Sequence, residues 1–460
     1  MDDRFLLVFS LAFSLWAVAA IVVPYIQRKT DLLTARNFFL LGALLYVGFS
    51  GIKAAREGHY FQYSHSVYLV YYTYIVVFFA VFSLAYKKLR WPARAADRRF
   101  LRWPITHGIG LWFPLLLCLA TVGAQIAVSQ VPGLRIVASR AGSIAPVFAL
   151  AFGLAIWRTN KMNPGAIAVV LVALLAGAYL SFSIGGGRRP LYALAVTIPC
   201  CFYWWNLRYR PPIVTLALFA GVLALWPIGD SAFRAARWYG HFGKSAKSGE
   251  VGAAERWRVF KDSLFATGES FEQSALQIGQ TTVENMLLTT YIFNEGSAQF
   301  PTFKVKPLHS LYVILTLPIP RVAWENKPVP LGITLPYDSG VLTKEIARTN
   351  WGPGIVAHAV HDGGVAVLIL YAVLIAAGLR FIDEVMVRHP GNPFLLAFLS
   401  AASVQIAAIT RGDLATMIPL ALLCLIYMAA IVWATRMVVG GDRSWPGLNP
   451  SALTPRQAYP

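Results

Sequence analysis

The chain has 460 residues, of which 57% are hydrophobic and only 13% are charged, and its mean hydropathy is +0.57. A water-soluble domain of this length could not bury so much apolar surface in one core, so the composition excludes the ordinary soluble classes and indicates a membrane protein. The formal net charge of +19 would also suit a nucleic-acid-binding protein, so the positions of the cations along the chain matter more than their number.

Eleven apolar runs have the length, or nearly the length, that is needed to cross a bilayer. The first run, 5–26, is as long as a true span and no small-residue cleavage site follows it, so we expect it to remain in the mature protein. We predict an all-α, polytopic integral membrane protein with about eleven transmembrane helices. The other runs lie at 37–55, 67–86, 105–129, 143–157, 164–184, 191–207, 212–229, 364–381, 394–410 and 414–435.

The runs divide the chain into four parts. Residues 1–229 hold eight transmembrane helices, and 230–362 form a large loop with amphipathic and re-entrant segments. Residues 363–437 hold the last transmembrane helices, and 438–460 form a tail.

Cations occupy alternate short loops between these runs, as the positive-inside rule describes for cytoplasmic loops. The rule places the N-terminus and the large loop outside and the C-terminal tail inside. Topology therefore explains most of the net charge, and we expect no nucleic-acid partner. The residues that carry the alternation are Arg28, Lys29, Arg36, Lys87, Lys88, Arg90, Arg94, Arg98, Arg99, Arg102, Arg158, Lys161, Arg208, Arg210, Arg380, Arg388, Arg436 and Arg443.

The sequence lacks the common signatures of cofactor and metal chemistry. It contains no phosphate-binding loop, no dinucleotide fingerprint and no His-Glu-x-x-His pair. All four cysteines fall inside apolar runs, so neither a disulfide framework nor a thiolate metal site is implied. We expect no cofactor and no metal. The cysteines are Cys118, Cys200, Cys201 and Cys424.

Cations on the outer face oppose the orientation bias and therefore need another reason to be there. At the outer end of the sixth span, three glycines at 185–187 precede Arg188, Arg189 and Pro190. Glycines let a backbone approach a ligand closely, and two guanidiniums can bind phosphate bidentately. The alternative is that both arginines extend to lipid headgroups at a helix end.

Two segments of the large loop have distinctive patterns. Apolar residues at Trp257, Phe260, Leu264 and Phe265 recur at helical spacing and predict an amphipathic helix, which lies on the membrane, covers a cavity or packs on the spans. The run 309–320 is apolar but too short to cross, so we expect a re-entrant or peripheral segment.

The short run 309–320 would deliver three charged residues to the outer interface. These are Arg321, Glu325 and Lys327. Arg348 precedes a second cluster, 349–364, that contains His358 and His361 and leads into the next span. Thr410–Asp413, which includes Arg411, forms a turn before the last span.

The order of these features resembles the Wzy-type polymerases of bacterial surface polysaccharides, also called O-antigen or oligosaccharide repeat-unit polymerases. The similarity covers most of the chain, from the Gly-Arg turn through the long loop to the Arg411 turn. Its most specific motif is Ile319-Pro320-Arg321 to Lys327-Pro328, followed by the region 354–364.

The resemblance implies a GT-C-like fold and an enzyme of the bacterial cytoplasmic membrane with its active site on the extracytoplasmic face. The reaction would transfer a growing glycan from undecaprenyl pyrophosphate to a sugar hydroxyl of an incoming lipid-linked repeat unit. The partners implied are the lipid-linked oligosaccharide, membrane lipid, a repeat-unit flippase and a chain-length co-polymerase.

This chemistry needs positive charge at the departing pyrophosphate and a base for the attacking hydroxyl. We rank His358 first as the base, with Glu325 and His361 as the other outer-face candidates; the alternative is that both histidines satisfy loop carbonyls. Asp338, Asp362 and Asp413 are expected to orient arginines. The candidates for pyrophosphate binding, without a metal, are Arg188, Arg189, Arg321, Lys327, Arg348 and Arg411.

Three other functions remain open. An O-antigen ligase would use the same arginines. A glycosyltransferase that uses lipid-monophosphate sugars usually has acidic residues in its first outer loop, where 56–66 offers only Glu57. A transporter should keep ionisable residues within its spans, since each costs about 2.5 to 3.5 kcal/mol there, and most of these spans have none.

Overall fold

Every regular element in the described part of the chain is helical, as the all-α prediction requires. The computed structural model describes residues 2–57, 63–96, 108–129, 144–183, 189–221, 253–266, 282–294, 305–317, 319, 323–338 and 351–439.

We number the α-helices in chain order. In the first half they are α1 (Asp2–Ile26), α2 (Ala35–Ala43), α3 (Ser50–Glu57), α4 (His65–Lys88), α5 (Trp91–Ala96), α6 (Trp112–Ser129), α7 (Ile144–Thr159), α8 (Pro164–Ser183), α9 (Arg189–Trp205) and α10 (Pro212–Gly221). In the second half they are α11 (Ala253–Ala266), α12 (Thr282–Asn294), α13 (His309–Thr316), α14 (Leu331–Asp338), α15 (Gly354–Asp362), α16 (Val365–Arg388), α17 (Pro393–Ala408) and α18 (Leu414–Val439).

Six helices in the described ranges are long and apolar enough to cross a membrane, so the chain is a helical membrane protein. They are α1, the continuous helix Ala35–Glu57 that contains α2 and α3, α4, α8, α16 and α18. Shorter apolar helices occupy four more of the predicted runs, and α9 occupies the remaining one. Each of the eleven runs therefore contains a helix, while the count of eleven spans stays a prediction.

Two short helices form the centre of the bundle. Helix α7 is buried from Ile144 to Ile156, and α17 is buried from Pro393 to Ser403. They pack on each other, with the rings of Phe152 and Phe394 5.0 Å apart, and α9 packs on both. Long outer helices such as α8 and α18 instead expose apolar side chains, which suits a lipid surround.

Glycines let the second span approach its neighbours closely. A methyl group added at Gly42 would overlap the carbonyl oxygen of Ala407 in α17. Methyl groups at Gly48 and Gly51 would overlap serine hydroxyls of α1. Such contacts matter in lipid because helices there associate through close packing rather than by exclusion from water.

At one end of the bundle, loops that the charge pattern places on the same side meet. Arg208 forms a buried bidentate pair with Asp31, at 2.8 Å and 3.0 Å. Asp383 near the end of α16 accepts hydrogen bonds from the backbone of Ala35 at 2.6 Å and from the Tyr86 hydroxyl at 2.7 Å. Buried carboxylates thus join loops that are distant in sequence.

Five helices, α11 to α15, lie within the predicted large loop, and α11 occupies the segment for which we predict an amphipathic helix. Helix α11 packs on α8, where Phe182 contacts Trp257 and Phe260 at ring distances of 5.5 Å and 5.3 Å. Helix α13 has only eight residues, in agreement with a segment too short to cross. Helix α12 was not predicted; it is buried from Thr282 to Thr290 and packs against α3, α4 and α15.

We expect Gly42→Ala to destabilise the protein, because the new methyl group forces α2 away from α17. Overpacking of this kind costs about 1–3 kcal/mol. The melting temperature of the purified protein in detergent should therefore fall by several degrees. Gly378→Ala in α16 is the control, since a Cβ there meets nothing within 4 Å and alanine favours a helix. Equal melting temperatures for the two variants would contradict the close α2–α17 contact.

Candidate functional site

Helix α15 is a short buried helix bounded by glycines. It begins at Gly354, whose φ is +77°, and it ends before Gly363 and Gly364, whose φ values are +133° and +77°. Residues that have a Cβ rarely adopt these backbone angles. The glycines at 363 and 364 therefore end α15 and separate it from α16, so the two do not form one continuous helix. All but one of its residues are buried, including His358, His361 and Asp362.

Asp362 is the centre of a polar network that joins three helices. Its carboxylate accepts hydrogen bonds from His361 Nδ1 at 2.6 Å, from the Ser310 backbone at 2.9 Å and from the Tyr371 hydroxyl at 2.5 Å. Burial alone would raise the pKa of Asp362, but these hydrogen bonds, led by that from His361, hold it below its ordinary value.

The contact with Asp362 determines the tautomer of His361. A carboxylate can only accept, so Nδ1 of His361 carries the proton and Nε2 carries the lone pair of the neutral ring. The ring lies at an angle to those of His309 and Phe293, with centroids 5.1 Å and 6.1 Å away. An imidazole oriented in this way by a carboxylate has the arrangement of a general base.

His358, which we ranked first as the base, is fully buried with both ring nitrogens hydrogen-bonded. Nε2 accepts from the Leu414 backbone at 3.1 Å, so Nδ1 carries the proton and donates to the Ser310 hydroxyl at 2.5 Å. Burial lowers the pKa of His358 to about 4, against the attraction of the Asp362 carboxylate. His358 is therefore neutral at pH 7, and its contacts join α13, α15 and α18.

Asp413 anchors the turn between α17 and α18. Its carboxylate accepts from the backbone N–H groups of Gly332 at 3.2 Å and Ala415 at 2.9 Å, and one oxygen lies 3.7 Å from Nε2 of His358. Burial raises the pKa of Asp413 to about 6, although both backbone hydrogen bonds oppose the shift. Both of these hydrogen bonds come from backbone groups. The expectation that Asp413 orients an arginine therefore stays a prediction.

Arg411 lies on the same turn, two residues before Asp413. Its guanidinium carbon is 5.3 Å from the centre of the Tyr46 ring. Gly352 passes so close that a methyl group there would press on the Arg411 carbonyl oxygen, and Asn285 donates to the Gly352 carbonyl at 2.9 Å. Arg411 thus contacts the second span through Tyr46 and the entry to α15 through Gly352.

The remaining predicted residues lie in other surroundings or outside the described residues. Lys327 is 9% exposed, and its ammonium donates to the carbonyls of Leu317 at 2.9 Å and Ile319 at 2.7 Å, which closes the end of α13. Glu325 is exposed. Arg189 is half-buried in the first turn of α9, beside a narrow cavity of about 10 Å³. Arg188, Arg321 and Arg348 lie outside the described residues.

Several site residues were missed at the sequence level. Ser310 and Tyr371 complete the network, although nothing in a single sequence marks them as partners of Asp362. The Tyr63 hydroxyl donates to the buried Glu284 carboxylate at 2.7 Å. Burial and the neighbouring Glu284 raise the pKa of Tyr63. Glu284 could have been found as an unusual charge in an otherwise uncharged helical segment.

Among the described residues, no three His, Cys, Asp or Glu side chains are arranged to hold a metal ion. Comparisons with protein-family models, with curated proteins and with solved structures find no match to this chain. The arrangement of the site residues is therefore the basis for its interpretation. It combines a carboxylate-oriented imidazole, a second buried imidazole and an arginine on an adjoining turn.

Two groups of this network should change stability with pH in opposite directions. The pKa of His358 falls from 6.5 to about 4 in the folded protein, so its contribution is present above 6.5 and is lost as the pH falls toward 4. The pKa of Asp413 rises from 3.8 to about 6, so its contribution is present below 3.8 and is lost as the pH rises through 6.

Melting temperatures of wild type, His358→Gln and Asp413→Asn between pH 7.5 and 5 test these signs. The melting temperature of His358→Gln should lie below that of wild type, and this difference should become smaller as the pH falls. Protonation of the buried His358 destabilises wild type, whereas glutamine binds no proton. The difference in melting temperature between Asp413→Asn and wild type should become larger as the pH falls. Protonation of the buried Asp413 stabilises wild type, whereas asparagine binds no proton. Differences that stay constant over this range would show that neither group titrates there.

Proposed function

We propose that this protein polymerises undecaprenyl-pyrophosphate-linked oligosaccharide repeat units. The observation that carries the proposal is that His358 and His361, predicted from one sequence segment, and Arg411, predicted from another, lie in connected surroundings at one end of a helical membrane bundle. The likeness of the sequence motifs to Wzy-type polymerases supports the same function.

The proposal includes a topology. The chain would cross the bacterial cytoplasmic membrane about eleven times, in a GT-C-like arrangement, with the network at the extracytoplasmic end. Two observations support it: each predicted run contains a helix, and the cationic loops meet at the end opposite to the network.

In the proposed reaction, a sugar hydroxyl of the incoming repeat unit attacks the anomeric carbon of the growing glycan. The new glycosidic C–O bond forms as the bond to pyrophosphate breaks, and undecaprenyl pyrophosphate leaves with the bonding electrons. His361 accepts the hydroxyl proton at Nε2, and Asp362 stabilises the imidazolium that results. Direct displacement of this kind inverts the anomeric centre.

We propose His361 rather than His358 as the base, because Ser310 and Leu414 engage both nitrogens of His358, whereas the Asp362 carboxylate orients the His361 ring and can stabilise its imidazolium. His358 then acts as a positioning residue that holds Ser310 and the Arg411 turn beside α15. Glu325, which is exposed, would contact the substrate only from outside this network.

Negative charge develops on the departing pyrophosphate, and preorganised guanidiniums stabilise it. Arg411 lies on the turn that His358 contacts through Leu414, and Arg188, Arg189, Arg321 and Arg348 are proposed with it from the sequence. The two carbonyl contacts of Lys327 favour a role in holding the end of α13 over direct binding of pyrophosphate.

Reconstitution of the purified protein with its cognate lipid-pyrophosphate-linked repeat tests the proposal. Wild type should produce a ladder of longer glycans on a gel, and the ladder should persist in chelator. His361→Gln should lower kcat by about 10²- to 10⁴-fold, the contribution typical of general-base catalysis. Arg321→Ala should also suppress the ladder.

Arg436→Ala is the charge-matched control, because Arg436 is exposed in the last turn of α18, at the end opposite to the network. Full activity of His361→Gln would show that His361 is not the general base. If Arg321→Ala produced the same glycan ladder as wild type, Arg321 would not be part of the pyrophosphate site. No ladder from the cognate repeat, but transfer to a lipid core acceptor, would identify a ligase.

A further inference from the structure

The second span contains a π-helical segment, Leu44–Phe49, between α2 and α3. π-helical turns are rare, and they occur frequently at functional sites. The acid–base chemistry proposed above uses no residue of this segment, so its presence in the middle of a long apolar helix needs another explanation. One of its side chains, Tyr46, is half-buried and contacts Arg411.

The contact between Tyr46 and Arg411 follows from a backbone contact one turn away. Gly42 and Ala407 touch closely enough that no Cβ fits at Gly42. Tyr46 is four residues after Gly42, and Arg411 is four residues after Ala407. The close contact of Gly42 with Ala407 therefore brings the tyrosine ring and the guanidinium together beyond the end of α17.

Other elements hold the backbone of Arg411 in place. Its amide donates to the Ala408 carbonyl at 3.2 Å, and Gly352 packs against its carbonyl oxygen. Two residues later, Asp413 is fixed by Gly332 and Ala415. The turn is thus constrained on several sides, and the ring of Tyr46 limits where the guanidinium can lie.

We propose that Tyr46 is a positioning residue that holds the Arg411 guanidinium for a pyrophosphate group. The inference rests on the proposed function, in which Arg411 binds the leaving group, and it adds the second span to the binding site. The substrate class is a diphosphate ester at the membrane surface.

The chemistry of the pair suits this role. An aromatic face attracts the guanidinium charge without using its N–H donors, which all lie in the guanidinium plane. The contact with the ring therefore leaves unchanged the planar geometry that matches phosphate oxygens. A ring also restricts a long side chain before the ligand arrives, so less conformational entropy is lost on binding.

Binding of inorganic pyrophosphate to the purified full-length protein in detergent, measured by calorimetry, tests the inference without requiring turnover. Tyr46→Leu should weaken binding roughly 2- to 30-fold, the range expected from loss of a cation–π contact. Tyr46→Phe keeps the ring and should bind nearly as well as wild type. Arg411→Ala should weaken binding at least as much as Tyr46→Leu.

The double variant Tyr46→Leu/Arg411→Ala should bind no more weakly than Arg411→Ala, because the tyrosine acts only through the arginine. Tyr209→Leu is the matched control. Tyr209 lies 6.0 Å from the guanidinium of Arg208 at the opposite end of the bundle, so its loss removes a similar contact away from the site. Pyrophosphate binding by this control should equal that of wild type.

Equal binding by Tyr46→Leu and Tyr46→Phe would overturn the inference, as would additive effects in the double variant or a wild type that does not bind pyrophosphate. Failure of the proposed function gives a different result. In that case no glycan ladder forms from the cognate repeat, while pyrophosphate binding still depends on Tyr46 and Arg411. Where the ladder forms, Tyr46→Leu should raise KM for the lipid-linked repeat and Tyr46→Phe should restore it.

Discussion

Asp362 accepts hydrogen bonds from α13, from α16 and from His361 of its own helix, and the candidate site depends on these contacts. A buried carboxylate is costly unless it is fully hydrogen-bonded, so Ser310, His361 and Tyr371 must all reach it in the folded state. Satisfying one charge therefore fixes α13 against α15 and α15 against α16. The same contact orients the His361 ring, so one requirement determines both packing and chemistry.

Positions of the spanning helices could be predicted because apolar runs of sufficient length have few alternatives in lipid. The helix α11 was also predictable, since Trp257 and Phe260 recur at helical spacing, and both pack on Phe182. Helix α12 was not, because its buried face carries Glu284, and a hydropathy pattern does not reveal a carboxyl whose partner, Tyr63, is far away in sequence.

The candidate site could be predicted by residue type but not by role. His358 and His361 are three residues apart and look equivalent in the sequence. Their difference comes from Ser310 and Leu414, which engage the two nitrogens of His358, and from the Asp362 carboxylate, which orients the His361 ring through Nδ1. These contacts depend on how distant segments pack, and the spacing of the histidines contains no information about them.

The burial of α12 has a consequence for biogenesis. Its 13 residues are too few to span a bilayer, and its packing partners are α3 and α4, which are synthesised long before it, and α15, which is synthesised after it. The helix can reach its final environment only when α15 has emerged from the ribosome. Insertion of the early spans and closure of the bundle around α12 are therefore separate stages of maturation, and the surface of α3 and α4 that α12 covers stays open between them.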